Sequence, residues 1–72
     1  MMPLTLMQTG DSATISRLSG NEDTKHYLMS LGFVSGVPVE VLNRLGSSVI
    51  VSIKSSRIAL NADMAKHIMV NL

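Results

Sequence analysis

Alternating apolar and polar positions predict short β-strands along most of the chain. Residues 12–18 place Ala13 and Ile15 between polar neighbours, which is the period-two pattern of a half-buried strand. Similar alternation recurs in four later segments, which are separated by turn residues or by helical segments. These segments are residues 37–44, 49–53, 57–60 and 68–70. Residues 4–10 form a short lead-in that ends at a turn.

One segment breaks the alternation and predicts an α-helix over residues 22–31. Asn21 can cap its N-terminus, and two acidic residues in the first turn complement the helix dipole. Leu28 and Leu31 are three positions apart and therefore share one face of the helix. Gly32 follows as the left-handed residue that commonly ends a helix.

Together these elements predict a mainly β fold. Five or six short antiparallel strands with one inserted helix, in 72 residues, are typical of a small SH3-like barrel. Asn61 can cap one further helical turn over residues 62–66. Closure of the sheet would hide residues 48–53, an apolar run that is prone to aggregate at an open edge. We expect a single domain, residues 1–72.

The composition excludes several classes of protein. Hydrophobic residues make up 46% of the chain and charged residues 15%, with a mean hydropathy of +0.33, which excludes intrinsic disorder. No apolar run approaches the ~20 residues of a membrane span, and no signal peptide is visible, so we expect no direct membrane insertion. The absence of cysteine excludes disulfides, thiolate catalysis and Cys-ligated zinc, and it is compatible with a cytoplasmic location.

The charge distribution favours a protein partner over a nucleic acid. The formal net charge is +1, the basic residues are scattered singly, and Tyr27 and Phe33 are the only aromatic residues. Nucleic-acid binding requires a concentrated cationic face and, for single strands, aromatic stacking, so we expect no nucleic-acid partner. The low share of charged residues instead predicts an apolar surface patch, suited to a protein partner or to weak self-association. The alternative is scattered exposed apolar side chains, which are normal.

The residues needed for catalysis are largely missing, so we expect no enzyme activity. A domain of this mass buries only about 60% of its surface, which leaves little room for a deep cleft. His26 and His67 are the only candidate histidine bases, and no serine lies in a nucleophile-elbow pattern. Residues 32–36 begin and end with glycine but lack the Gly-Lys-Ser/Thr ending of a phosphate-binding loop.

Two acid–imidazole pairs are candidate ligands for a divalent transition metal ion. Glu22 and His26 are four residues apart on the predicted helix, and Asp63 and His67 are four apart near the second helical turn. Each pair would place a carboxylate and an imidazole on one helical face. A stable site requires three or four ligands, so the sequence offers either two half-sites or two ordinary solvated pairs.

The central segment resembles the FeoA family. Residues 28–41 match the family motif Leu-x-x-Leu-Gly-x-x-x-Gly-x-x-Val-x-Val, and residues 59–70 are similar to the C-terminal motif. Leu4, Met7 and Gly10 occupy the places of the opening motif, so the resemblance covers nearly the whole chain in order. The motif positions are Gly10, Leu28, Leu31, Gly32, Gly36, Val39, Val41, Ala59, Leu60, Ala65, Ile68 and Val70.

The resemblance implies an SH3-like domain that serves as a cytoplasmic accessory protein of bacterial ferrous iron transport. The implied partner is the cytoplasmic domain of a FeoB-type membrane GTPase permease, which would hold the protein at the inner face of the membrane. Similar domains end the iron-dependent DtxR-type repressors, so the alternative function is that of a metal-responsive regulatory domain.

The predicted partner-binding surface is the helix and the turn after it. Leu28 and Leu31 are expected to face the core. Two features depart from the family: the hairpin at residues 45–48 is shorter than in many members, and residues 25–27 carry less positive charge, which weakens the case for electrostatic docking. The candidate contact residues, where they are exposed, are Lys25, Tyr27, Met29, Phe33 and Val34.

Overall fold

Six strands form one antiparallel sheet in the computed structural model, which describes all 72 residues. The strands are β1 (Met2–Pro3), β2 (Ser12–Leu18), β3 (Pro38–Leu45), β4 (Ser48–Ile53), β5 (Ser56–Asn61) and β6 (Ile68–Asn71). The helices are α1 (Glu22–Ser30) and α2 (Ala62–Ala65), and a 3-10 turn covers Leu4–Leu6. The sheet order is β1-β6-β2-β3-β4-β5, which confirms the mainly β prediction.

Two irregularities bend the sheet. The register of β2 against β6 shifts between Ile15 and Arg17, and the register of β3 against β4 shifts between Val41 and Asn43. Each shift marks a β-bulge, where an extra residue bends the strand and increases its twist. Bent strands allow a sheet of short segments to curve around a single core.

The core of the protein is entirely apolar. In β4, Val49, Val51 and Ile53 are buried and the residues between them are half-buried, as the alternating pattern predicts. No polar or charged side chain is buried, so the removal of apolar surface from water is the main source of stability. The buried residues are Leu4, Met7, Ala13, Ile15, Leu28, Phe33, Val39, Val41, Val49, Val51, Ile53, Leu60, Ala65, Ile68 and Val70.

Most apolar motif positions are core positions. Leu31 is half-buried and packs against the core, in agreement with its predicted orientation. Ala59 is exposed, because it alternates along β5 with the buried Leu60. The three motif glycines all have positive φ, at Gly10, Gly32 and Gly36. These positions therefore act mainly through packing and backbone geometry.

Helix α1 ends in a Schellman motif that turns the next residue inward. The N–H of Gly32 donates to the carbonyl of Met29 (3.0 Å), and the N–H of Phe33 donates to the carbonyl of Leu28 (3.1 Å). Gly32 has a φ of 104°, which a residue with a side chain rarely adopts. The helix therefore stops at Ser30, one residue earlier than predicted, and the chain folds back beneath it.

Both helices begin at an asparagine cap, as the sequence predicts. The Asn21 side chain accepts a hydrogen bond from the Thr24 N–H at 2.8 Å, and the Asn61 side chain accepts one from the Met64 N–H at 2.9 Å. Helix α2 makes a single turn and ends at Ala65. Neither helix has the length and apolar character needed to span a bilayer.

The lead-in contains a strand that the sequence does not reveal. Strand β1 pairs with β6 through two residues, which is too short to produce an alternating pattern. The 3-10 turn after it is held by Arg44, whose Nη2 donates to the carbonyl of Thr5 at 2.9 Å and also to the carbonyl of Met7. A side chain of β3 thus fixes the N-terminal segment against the sheet.

Replacing Leu28 by alanine should destabilise the protein strongly. Leu28 is fully buried, so the change removes apolar contacts and leaves a cavity, and it should lower the free energy of unfolding by about 2–5 kcal/mol. Met29→Ala is the matched control, because Met29 is 43% exposed and its truncation should cost at most about 0.5 kcal/mol. Urea unfolding followed by circular dichroism measures both; similar losses would contradict the assignment of Leu28 to the core.

Candidate partner-binding surface

A groove of about 260 Å³ lies between the end of β2 and the C-terminal half of α1. Half of its eight lining residues are hydrophobic, and the groove is open to solvent. We refer to it as the α1–β2 groove. It is lined by Ser16, Arg17, Leu18, Lys25, Met29, Phe33, Val34 and Ser35.

Two local features of the chain form this groove. Strand β3 pairs with β2 only along Ser12–Thr14, so the last residues of β2 have no strand neighbour on that side. On α1, Lys25 and Met29 are four positions apart and therefore lie on one face of the helix. Val34 and Ser35 follow the Schellman motif and close the end of the groove.

Most of the predicted contact residues reach the surface, but Phe33 does not. Tyr27 is 52% exposed and Met29 is 43% exposed, whereas Lys25 and Val34 are half-buried. Phe33 is 0% exposed and belongs to the core, because the Schellman motif turns it under α1. Phe33 therefore does not meet the condition of exposure under which it is a candidate contact residue. It supports the groove from below.

The charged residues that line the groove, Arg17 and Lys25, are both basic. Arg17 is exposed, and no carboxylate lies within salt-bridge distance of it. The Lys25 Nζ lies 3.9 Å from Oε1 of Glu22, at the outer limit of an ion pair, and the Glu22 side chain is 77% exposed. No acidic residue lines the groove itself. The groove therefore combines apolar walls with two positive charges.

Sequence reasoning missed the β2 side of this surface. The alternation predicts a regular strand through Leu18 and assigns no binding role to Ser16, Arg17 or Leu18. A signal was nevertheless present: Leu18 is out of phase with the alternating apolar residues Ala13 and Ile15, as expected when an extra residue interrupts the strand. The bulge accounts for this change of phase.

The four predicted metal ligands do not form one site. The Glu22 Oε2 and His26 Nε2 atoms lie 3.8 Å apart on the exposed face of α1, as the spacing predicts. The prediction that Asp63 and His67 share a helical face is wrong, because α2 ends at Ala65 and His67 lies beyond it. No three histidine, aspartate or glutamate side chains converge anywhere in the structure.

His67 packs against the segment between β2 and α1 instead. Its Nδ1 lies 3.2 Å from Oγ of Ser19, and its carbonyl accepts a hydrogen bond from the Ser19 N–H at 2.8 Å. This is a distance at which a histidine can activate a serine, but neither residue lines a depression of the surface. The pair therefore serves to join β2 to the chain before β6.

A second depression, of about 340 Å³, is open and is lined mainly by polar residues. It contains three serines, one lysine and one glutamate, but no histidine. The β4–β5 turn beside it has positive φ at Lys54 (49°) and Ser55 (67°). The depression is lined by Ser12, Pro38, Val39, Glu40, Ser52, Lys54 and Ser55. None of the side-chain hydrogen bonds in the structure joins a serine of this depression to its lysine or glutamate.

The chain matches one known family along almost its whole length. A family model described as the FeoA domain matches residues 2–72. The chain is similar to FeoA of Stenotrophomonas maltophilia, a zinc complex described as an SH3-domain protein, with a TM-score of 0.86, 27% identity and coverage of 99% of this chain and 90% of that one. FeoA of Chlorobium tepidum gives a TM-score of 0.87, 26% identity and coverage of 99% and 70%.

The same fold occurs within larger regulatory proteins. A manganese-dependent transcriptional repressor gives a TM-score of 0.86 and 27% identity, with coverage of 97% of this chain but 41% of the repressor. No curated protein sequence matches the chain. These likenesses confirm the predicted SH3-like fold and the resemblance to both groups of proteins.

Gly20→Ala should destabilise the protein more than Gly10→Ala. Both glycines have nearly the same positive φ, 94° and 93°, so alanine should cost about 1–2 kcal/mol of backbone strain at either position. At Gly20 a Cβ would also lie 3.0 Å from Nδ1 of His67, whereas at Gly10 it would meet nothing within 4 Å. Urea unfolding measures the difference.

The change Gly20→Ala made in the His67→Ala variant separates the two contributions. Because His67→Ala also removes the contact with Ser19, the double variant is compared with His67→Ala alone, and in that background Gly20→Ala should cost only the backbone part. Equal losses for Gly20→Ala and Gly10→Ala, or the same cost of Gly20→Ala with and without the imidazole, would show that the ring does not restrict this position.

Proposed function

The chain belongs to the FeoA family, which is involved in ferrous iron transport, and we propose that it is a non-catalytic accessory protein that binds the cytoplasmic domain of a FeoB-type GTPase permease. In this proposal the protein is cytoplasmic and reaches the inner face of the membrane only through its partner. The assignment to ferrous iron transport rests on the family match. The surface of α1 supports a role in binding.

The exposed side of α1 has the composition of a binding surface. Tyr27 and Met29 are large side chains that are 52% and 43% exposed. Tyrosine is enriched among the residues that contribute most to protein–protein affinity, and methionine is enriched at interfaces because it adapts to different partners. Lys25, four residues before Met29, adds a positive charge beside them. This combination of apolar area and charge is the observation that favours docking.

The geometry gives little support for catalysis. Both surface depressions are open, and neither contains a histidine. His26 is exposed on α1, and neither Ser19 nor His67 lines either depression. A hydrolytic mechanism would need a base, a nucleophile and an orienting acid around one substrate. Modulation of a partner through contact requires none of these.

A metal-responsive regulatory function is the second candidate. It is favoured by the pair formed by Glu22 and His26, 3.8 Å apart, and by the zinc complex of the related Stenotrophomonas maltophilia protein. Two exposed side chains provide fewer ligands than the three or four of a stable site. We therefore place this function second.

The variants Lys25→Glu and Tyr27→Ala test the proposed function. Because the first reverses a charge and the second removes an exposed aromatic ring, each should weaken binding to the purified cytoplasmic domain of the permease about tenfold, or about 1.4 kcal/mol. Biolayer interferometry measures the affinity, and circular dichroism verifies the fold. Lys66→Glu is the matched control, since Lys66 is an exposed cation at the end of α2. Unchanged affinity in both test variants would remove α1 from the interface.

Metal titration tests the second candidate. Since Glu22 and His26 are the only two of the four candidate ligands that approach each other, the diamagnetic zinc ion should shift the His26 resonances only in the millimolar range and should leave His67 unchanged. Nuclear magnetic resonance detects both imidazoles, and His26→Ala is the control that should abolish the response. Micromolar binding that moves both histidines would favour the regulatory function over docking.

A further inference from the structure

We propose that the α1–β2 groove binds an extended peptide segment in which one large aliphatic side chain is flanked by acidic residues. This proposal rests on the proposed function, since such a segment would belong to the protein partner. Three independent features of the groove support this chemistry: its open strand edge, its apolar walls and the sign of its charges.

The open edge is the end of β2. The Ser19 N–H donates to the carbonyl of His67, on the β6 side. Backbone groups alternate between the two edges of an antiparallel strand, so the N–H and C=O of Leu18 point to the opposite edge. On that edge, Ile15 is the last residue bonded to the β3 side: it donates to Val37 at 2.9 Å and accepts from Gly36 at 2.8 Å. Leu18 therefore offers one backbone donor and one acceptor to an extended peptide.

The apolar walls suit one side chain rather than a small molecule. Leu18, Met29 and Val34 line the groove, and Phe33 supports it from below. Its volume of about 260 Å³ is below the roughly 300–1,000 Å³ of typical small-molecule sites. The walls are recessed between β2 and α1, so a side chain inserted from an extended backbone can reach them.

The basic residues of the groove favour acidic residues on either side of the inserted side chain. Arg17 and Lys25 are the charged residues of the lining, and both are positive. No carboxylate lies within salt-bridge distance of Arg17, and the Glu22 carboxylate near Lys25 is largely exposed to water. Carboxylates beside the inserted side chain would complement both cations. The groove contains no exposed aromatic ring on which a base could stack, which argues for a peptide rather than a nucleic acid.

The test is a titration of the isotope-labelled full chain with three synthetic pentapeptides, followed through the backbone amide resonances. The acidic peptide acetyl-Asp-Glu-Leu-Asp-Glu-amide should cause saturable shifts at Arg17, Leu18, Lys25 and Met29. The peptide with serine in place of leucine and the charge-reversed peptide acetyl-Lys-Arg-Leu-Lys-Arg-amide should cause none. The serine peptide lacks the aliphatic side chain, and the charge-reversed peptide lacks the acidic flanking residues.

Charge reversal in the protein provides the matched comparison. Arg17→Glu should weaken binding of the acidic leucine peptide at least about tenfold, because it replaces attraction by repulsion. Arg57→Glu, which changes an exposed cation on β5, should leave binding unchanged. Absence of shifts in the groove, or equal shifts with the serine or charge-reversed peptide, would overturn the proposal. So would shifts of the groove residues only with anionic phospholipid vesicles, only with an oligonucleotide, or only with rising protein concentration.

A second titration with the cytoplasmic domain of the permease distinguishes the two proposals. If the domain binds but leaves Arg17 and Leu18 unshifted, and the acidic peptide is inert, the groove proposal is wrong and the proposed function stands. If the acidic peptide fills the groove while the domain does not bind, the groove proposal stands and the permease is not the partner. Displacement of the domain by the acidic leucine peptide supports both.

Discussion

The Schellman motif at the end of α1 is the constraint on which both the core and the surface depend. Gly32 adopts a positive φ, and the N–H of Phe33 then bonds the carbonyl of Leu28, so the aromatic ring enters the core beneath the helix. The same turn sends Val34 and Ser35 along the open side of β2. One backbone conformation therefore anchors the only helix of more than one turn and determines the end wall of the groove.

The irregular pairing of β2 has a comparable double effect. Its bulge after Ile15 bends the strand, which helps a small sheet enclose an apolar core. Its limited pairing with β3 leaves the last residues of β2 without a strand neighbour on one side. A fully regular sheet would have covered this edge. Strand β2 thus contributes both a bend of the sheet and an edge without a strand neighbour.

The distribution of polar groups supports the proposed role in recognition. Every buried side chain is apolar, and no group of three histidine or acidic side chains forms. The fold is shared with FeoA proteins and with part of a manganese-dependent repressor, so the fold alone does not specify one activity. What can differ between such proteins is the side chains around the exposed edges and grooves. In this chain those side chains are apolar and cationic.

Local signals in the sequence predict strands β2 to β6, the two asparagine caps and the glycine after α1, because alternation and capping act within a few residues. The exposure of Tyr27 and Met29 does not follow from these signals and is seen only in the structure. Tertiary structure alone decided the rest: the two-residue strand β1, the Arg44 contacts with the N-terminal turn, the position of His67 beside Ser19 and the groove itself. Each of these joins segments that are distant along the chain, and a local pattern carries no information about which distant segment will lie beside it.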